Sequence, residues 1–310
     1  MSKFYLREFS SRDEVWDKHR HNADRVESIY ETAEFTKYSE RIGRCAQMLF
    51  FGSRLDDQGQ KVIKLKSASF CRVRNCPVCQ WRGSLMWKLK LANALPLIER
   101  DYPKARWILL CLTVRNCPIT SLRDTLTLMN SAWQRLSQLK KFPAIGTFKS
   151  LEVTRGKDGS AHPHFHVLML VNSSYFKGTT YISHENWIAM WRKSLRADYD
   201  PNIDIRTVQT DKDNLSSSEI IAEIAKYTVK PSDLLQDASW LLEYTNQVHK
   251  MRSVSISGIL KEYLSDTEAT NEELIIGDSE NPIEDLIQPF YISNWEKPES
   301  KYTIKELDDL

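Results

Sequence analysis

Three of the chain's seven histidines fall within five residues, in Ala161-His162-Pro163-His164-Phe165-His166-Val167-Leu168-Met169-Leu170. Imidazoles alternating with bulky side chains ahead of an apolar run read as a β-strand. His162, His164 and His166 then share one face, and Phe165, Val167 and Met169 the other. Two imidazoles two residues apart on one face are spaced to grip a single metal ion. Glu152 lies on the preceding strand, across the Gly156-Lys157-Asp158-Gly159 turn, and shares a face with Thr154. A hairpin that aligns the polar faces brings Glu152 to the same ion. Two neutral imidazoles and a carboxylate, with positions left open, suit a catalytic Mn²⁺ or Mg²⁺ that polarises a phosphoryl oxygen. The competing reading is a row of surface histidines and a strand glutamate opposite a buried face.

A second group lies in Glu223-Ile224-Ala225-Lys226-Tyr227-Thr228-Val229-Lys230. At 100° per residue Ile220, Ile221, Ile224, Ala225 and Thr228 form a buried arc, and Glu223, Tyr227 and Lys230 cluster on the arc beside it. Glu223 and Tyr227 are i, i+4 neighbours. A phenol near a polarised phosphate can attack it, and a lysine can steady the charge that develops. A third group, Cys71, Cys76 and Cys79, ends in a CxxC whose fourth sulfur comes from Cys45 or from Cys117. Four thiolates make a closed structural Zn²⁺ site. Arg72, Arg74, Arg82 and Lys88, interleaved with Trp81 and Trp87, offer charge for phosphates and rings for bases.

The elements that must position these groups follow from periodicity. A helix opens at Ser11, Cys45 to Phe51 is strand-like, and a basic helix covers about 84–100. Strands are expected at 106–116, 145–154, 161–170 and 203–209, and helices at 121–141, 185–195 and 217–230. The order β-α-β-β-α-β-α implies an antiparallel sheet with helices packed on one face, an α+β fold, preceded by an N-terminal helical and zinc-binding segment. Three regions result: 1–100 with the helix and cysteines, 101–255 with the sheet, and 256–310 as an acidic, partly disordered tail.

Charge divides the same way. Residues 253–310 hold 4 of the 43 Lys and Arg and 14 of the 41 Asp and Glu, a net charge of −10 that leaves +12 on residues 1–252. A basic body suggests a polyanionic partner. A charged fraction of 27% and a hydrophobic fraction of 41% suit a globular chain. The sequence shows neither a run of the roughly 18 apolar residues that a membrane span needs nor a leader-type N-terminus, so a cytoplasmic protein without membrane contact is expected.

With these residues assembled, the chain resembles the rolling-circle replication initiators of small plasmids, in the single-tyrosine branch of the HUH endonuclease superfamily. Leu110-Cys111-Leu112-Thr113-Val114-Arg115-Asn116 looks like that family's first-strand block, with Cys111 in place of the usual residue. His162-Pro163-His164-Phe165-His166-Val167 looks like the metal block, and Glu223-x-x-Lys226-Tyr227-x-x-Lys230 like the nucleophile block. The likeness spans about residues 40–255 and implies an RRM-like HUH sheet. It implies that Tyr227 nicks origin DNA, leaving a 5′-phosphotyrosyl bond and a 3′-OH primer, with His164, His166 and Glu152 on the ion. Lys230 would steady the phosphate, Glu223 would activate water to end a round, and Arg115, Asn116 and Lys226 would contact DNA. The implied partners are double- and single-stranded plasmid origin DNA, a host helicase and DNA polymerase, and a second copy if the protein dimerises. Rival readings are a mobilisation relaxase, a single-tyrosine transposase, and a non-catalytic zinc-containing DNA-binding regulator.

Overall fold

The computed structural model describes residues 3–55, 58–59, 61–208, 221, 224–225, 229–264, 274–275 and 287–307. They form an α+β protein with two antiparallel sheets. The elements begin with helices α1 (Leu6–Phe9), α2 (Glu14–Glu31) and α3 (Thr36–Gly43), strands β1 (Met48–Leu55) and β2 (Lys61–Ala68), and helix α4 (Pro77–Asp101). Then come β3 (Arg106–Thr113), α5 (Leu122–Ser137), β4 (Ala144–Arg155), β5 (Ala161–Val171), α6 (His184–Leu195) and β6 (Ile203–Val208). The last are α7 (Pro231–Leu235), α8 (Ala238–Gln247), β7 (Val254–Gly258), β8 (Ile287–Glu296) and β9 (Lys301–Leu307).

The chain divides into two compact units, Met1–Leu89 with Glu268–Leu310, and Lys90–Thr267. The second is built on a five-stranded sheet of order β6-β3-β5-β4-β7, in which every neighbouring pair is antiparallel. The apolar run of the histidine strand sets its central position: β5 is buried along most of its length and pairs on both sides. Phe165, Val167 and Met169 are at most 1% exposed and each contributes about 1.5–3 kcal/mol by burial. Helix α5 brings Leu122, Leu126, Met129, Ala132 and Leu136 into the core at helical spacing, and Asn130 on α5 reaches Lys149 of β4. Helix α6 packs beside α5, where the Arg135 Nε–H donates to the Ser194 carbonyl, and Trp191 donates to the carbonyl of Thr113 at the end of β3. The β4–β5 turn closes through Gly156 N–H to the Ser160 carbonyl, with Gly159 at φ +82°, a conformation that favours glycine.

The first unit holds a four-stranded sheet of order β2-β1-β8-β9. This corrects the expectation that everything after residue 255 is an acidic tail. Residues 254–258 add the edge strand β7 to the other sheet, and 287–307 form a hairpin paired with β1. The acidic average conceals the buried side chains Tyr291, Trp295, Tyr302 and Ile304. Two hydrogen bonds tie that hairpin to α2, from Trp295 Nε1 to Asp24 at 2.8 Å and from the Tyr302 N–H to Asp17 at 2.9 Å. Strand β2 was not expected, and Cys45 sits in the turn before β1 rather than on the strand. Helix α4 also starts earlier than its periodicity suggested, at Pro77, where a proline without an N–H costs nothing. Among the described residues no helix is long and apolar enough to cross a membrane.

Candidate metal centres and active site

The β4–β5 register places Glu152 directly opposite His164, and Ser150 opposite His166. Residues opposed across an antiparallel pair share a face, so three donors expected on one face converge there. One carboxylate oxygen, Oε2 of Glu152, lies 3.0 Å from Nε2 of His164 and 2.8 Å from Nε2 of His166. Burial opposes charge on Glu152, but hydrogen bonds from the two imidazoles outweigh it and hold the carboxyl well below its usual range. A buried carboxylate facing two imidazole nitrogens is a donor set for a divalent cation, and the three ligand atoms lie within 4.8 Å of one another. An octahedral ion with bonds of 2.0–2.1 Å needs neighbouring donors about 2.9 Å apart, which the two carboxylate–imidazole distances of 3.0 and 2.8 Å match. His162 lies outside the trio, its ring centroid 5.4 Å from that of His164.

Cys45, Cys71, Cys76 and Cys79 form the second cluster. Their sulfurs are 3.6 Å apart for Cys45–Cys79 and Cys71–Cys79, and 3.7 Å for Cys45–Cys76. A tetrahedron of Zn–S bonds near 2.3 Å has edges of about 3.8 Å, so the four sulfurs fit zinc. Burial resists charge on Cys76, yet hydrogen bonds from the other three thiols pull it well below the ordinary range, while Cys45 is pushed well above by bonding to its neighbours. Only a shared cation lets all four ionise. The fourth sulfur of the cluster is that of Cys45. Cys117 instead forms a backbone bridge to Ala161 beyond β3.

The residues expected on DNA separate clearly. Arg72 is exposed in the cysteine loop with φ +53°, and Arg74 and Lys88 are half-buried. Arg82 is a correction: it is fully buried, donating from Nε to the Leu274 carbonyl at 2.8 Å and from Nη2 to that of Ile275 at 2.9 Å. Its guanidinium also faces the rings of Trp16 and Trp81. Trp81 is buried too and stacks on His19, so neither residue of that pair is free for a base. Arg115 and Asn116 are exposed just beyond β3; Arg115 lies over Tyr199, and Asn116 donates to Ser160. Lys230 is exposed at the N-cap of α7. Tyr227, Glu223 and Lys226 lie outside the described residues. What the sequence did not suggest is the loop before β6: Tyr199 and Asn202 line a cleft of about 410 Å³ with Thr113, Arg115 and His162. No periodicity marks a loop, and only the aromatic among polar residues could have drawn attention to it.

The fold and these clusters define an α+β protein with a His-His-Glu centre suited to a divalent ion and a separate four-cysteine centre suited to zinc. A family model described as "Replication protein" matches residues 62–303, and the chain belongs to that family. It is similar to a "Protein rep" of Streptococcus pneumoniae, 34% identical over 240 residues that cover 76% of this chain and 73% of that one. A "Protein rep" of Bacillus amyloliquefaciens is 33% identical over 296 residues, 86% of this chain and 83% of the relative. A "Replication protein" of Staphylococcus aureus is 34% identical over 225 residues, 67% of this chain and 94% of the relative. No solved structure matches the chain.

Proposed function

We propose that this replication protein is a plasmid rolling-circle initiator that nicks one strand of origin DNA through a single-tyrosine, HUH-type reaction. The observation that carries the reading is the meeting of Glu152, His164 and His166 around one buried carboxylate oxygen, with membership of the replication protein family as its context. A Mn²⁺ or Mg²⁺ ion held by those three residues would draw charge from a phosphate oxygen. The Tyr227 hydroxyl attacks phosphorus, the bond to the 3′ oxygen breaks, and the protein keeps a 5′-phosphotyrosyl bond while a 3′-OH is left as primer for a host polymerase. Lys230 steadies the negative phosphate. Glu223, four residues before Tyr227 in the sequence, takes a proton from water when a round ends. The four-cysteine centre holds a structural Zn²⁺, and Arg72, Arg115, Asn116 and Lys226 contact DNA.

The test is incubation of the purified protein with Mn²⁺ and a supercoiled plasmid carrying its origin. An open circle with protein bound to its 5′ end is expected, and Tyr227→Phe abolishes both. Glu223→Ala is expected still to nick, but to accumulate adduct and products longer than one plasmid. If Glu223→Ala loses the first cleavage as fully as Tyr227→Phe, the termination role is wrong. If the wild-type protein binds origin DNA but never cuts it, the non-catalytic regulator replaces this reading.

A further inference from the structure

The cleft before β6 begins where the His-His-Glu centre ends. Thr113 is the register partner of His164, and His162 precedes His164 on the same strand face; both line the cleft. Its outer wall is Arg115 and Tyr199, with the guanidinium carbon 3.9 Å from the ring centroid. Two hydrogen bonds fix that wall: the Arg115 N–H donates to the Tyr199 hydroxyl at 3.0 Å, and the Thr113 hydroxyl donates to the Asn202 carbonyl at 2.7 Å. The second bond ties the loop to the end of β3. Arg115 is 66% exposed, so one plane of the guanidinium rests on tyrosine and leaves the other available for stacking.

Charge decides what the cleft takes. Asp200 lines it, and Asp198 stands 3.6 Å from Arg115. Asp198 offsets Arg115, and Asp200 is paired with Arg192 at 3.1 Å, so each guanidinium here already faces a carboxylate, which disfavours a phosphate and leaves carboxylate oxygens as acceptors. They suit a base, whose flat face stacks on arginine and whose amino group can donate to a carboxylate. The volume, about 410 Å³, falls at the small end of the roughly 300–1,000 Å³ of small-molecule sites, which fits one nucleoside rather than a stretch of strand.

We infer that this cleft is the subsite for a nucleobase flanking the scissile phosphate. Arg115 is its stacking platform, Tyr199 the residue that positions Arg115, and the occupant an amino-bearing base rather than thymine. The assignment deepens the nicking function proposed above and rests on it for the identity of the phosphate, but its test is a binding measurement. 2-Aminopurine, placed one position at a time along a single-stranded origin oligonucleotide, is titrated with the full-length protein in the presence of Mn²⁺. One position is expected to be strongly quenched, and Arg115→Ala or Tyr199→Ala to remove that quench while leaving the others. Thymine at that position, which lacks the amino donor, is expected to weaken wild-type binding by about 5-fold to 100-fold, the range that base-edge hydrogen bonding commands, and to make little difference to either variant, in which the base is no longer held against the carboxylates. Tyr199→Phe, which keeps the ring and loses the hydroxyl bond, is expected to fall between. Quenching at no single position, or the same profile in wild type and Arg115→Ala, overturns the subsite. A single quenched position that both variants lose, in a protein that never nicks, supports the base site and overturns the nicking function alone.

Discussion

Lys149 gives a direct test of how the second unit is packed. Its side chain leaves β4 on the face opposite Glu152, where Nζ donates to Oδ1 of Asn130 at 2.9 Å and lies 3.8 Å from the ring centroid of Phe165. Burial pushes this amine from its ordinary 10.5 down to about 8. At 1.36 kcal/mol per pKa unit, that difference is a cost of roughly 3 kcal/mol for carrying the charge into the fold. The sign follows from counting protons. Between pH 8 and 10.5 the unfolded chain holds a proton that the folded chain has lost, so stability rises with pH across that window, and the cost is felt in full below it. Lys149→Met removes the charge and keeps most of the volume. Its gain at neutral pH is reduced by about 1–3 kcal/mol if the Asn130 carbonyl is left without a donor. That loss does not depend on pH, whereas the charge term does. Integrating the linkage from pH 7 to pH 9.5, the stability of Lys149→Met relative to wild type should fall by about 2 kcal/mol. Urea unfolding of both proteins at the two pH values, read from tryptophan fluorescence, measures the gap, and subtraction cancels every group the proteins share. A gap that stays the same at both pH values would refute the depressed amine and the dry packing behind it.

Four further outcomes are expected. His166→Ala should remove Mn²⁺ binding measured by calorimetry and reduce nicking by at least 100-fold while circular dichroism is unchanged, and normal nicking would sink the ligand assignment. Cys76→Ser should lose zinc by elemental analysis and lower the melting temperature; full zinc content would count against the closed four-sulfur site. Arg82→Met should act on the fold rather than on DNA, lowering stability by about 1–3 kcal/mol chiefly through the unmet buried carbonyl of Leu274, so a stable variant with weakened DNA binding would restore Arg82 to the interface. Truncation after Tyr263 should melt the first unit, because it removes two of four sheet strands with the partners of Asp17 and Asp24, and a truncated protein whose first unit still unfolds cooperatively would refute that.

The His-His-Glu trio was legible because a strand has period two. Once His164 and His166 were on one face, a short hairpin left Glu152 few places to go. The cysteines were legible because CxxC fixes two ligands locally, though the choice between Cys45 and Cys117 needed the fold. Arg82 was misread on composition, since basic residues among tryptophans suggest nucleic acid. Its spacing told otherwise: Val78, Arg82 and Met86 follow each other at four-residue steps along one buried stripe of α4. The hairpin of β8 and β9 was hidden by averaging, because its buried aromatics alternate with the charges that set the local mean. Tyr199 and Asn202 were invisible for a different reason, since a loop's role depends on which strand end it is tied to.

The pairing of β1 with β8 joins segments made more than two hundred residues apart, whereas the unit of 90–267 is continuous in sequence. A ribosome adding about 5–20 residues per second therefore emits every strand of the five-stranded sheet before either C-terminal strand of the other. During synthesis the first unit must wait with β1 exposing an unpaired edge, and its sheet closes only when residues 287–307 arrive. The order of assembly thus runs against the order of translation, and the N-terminal unit is completed last.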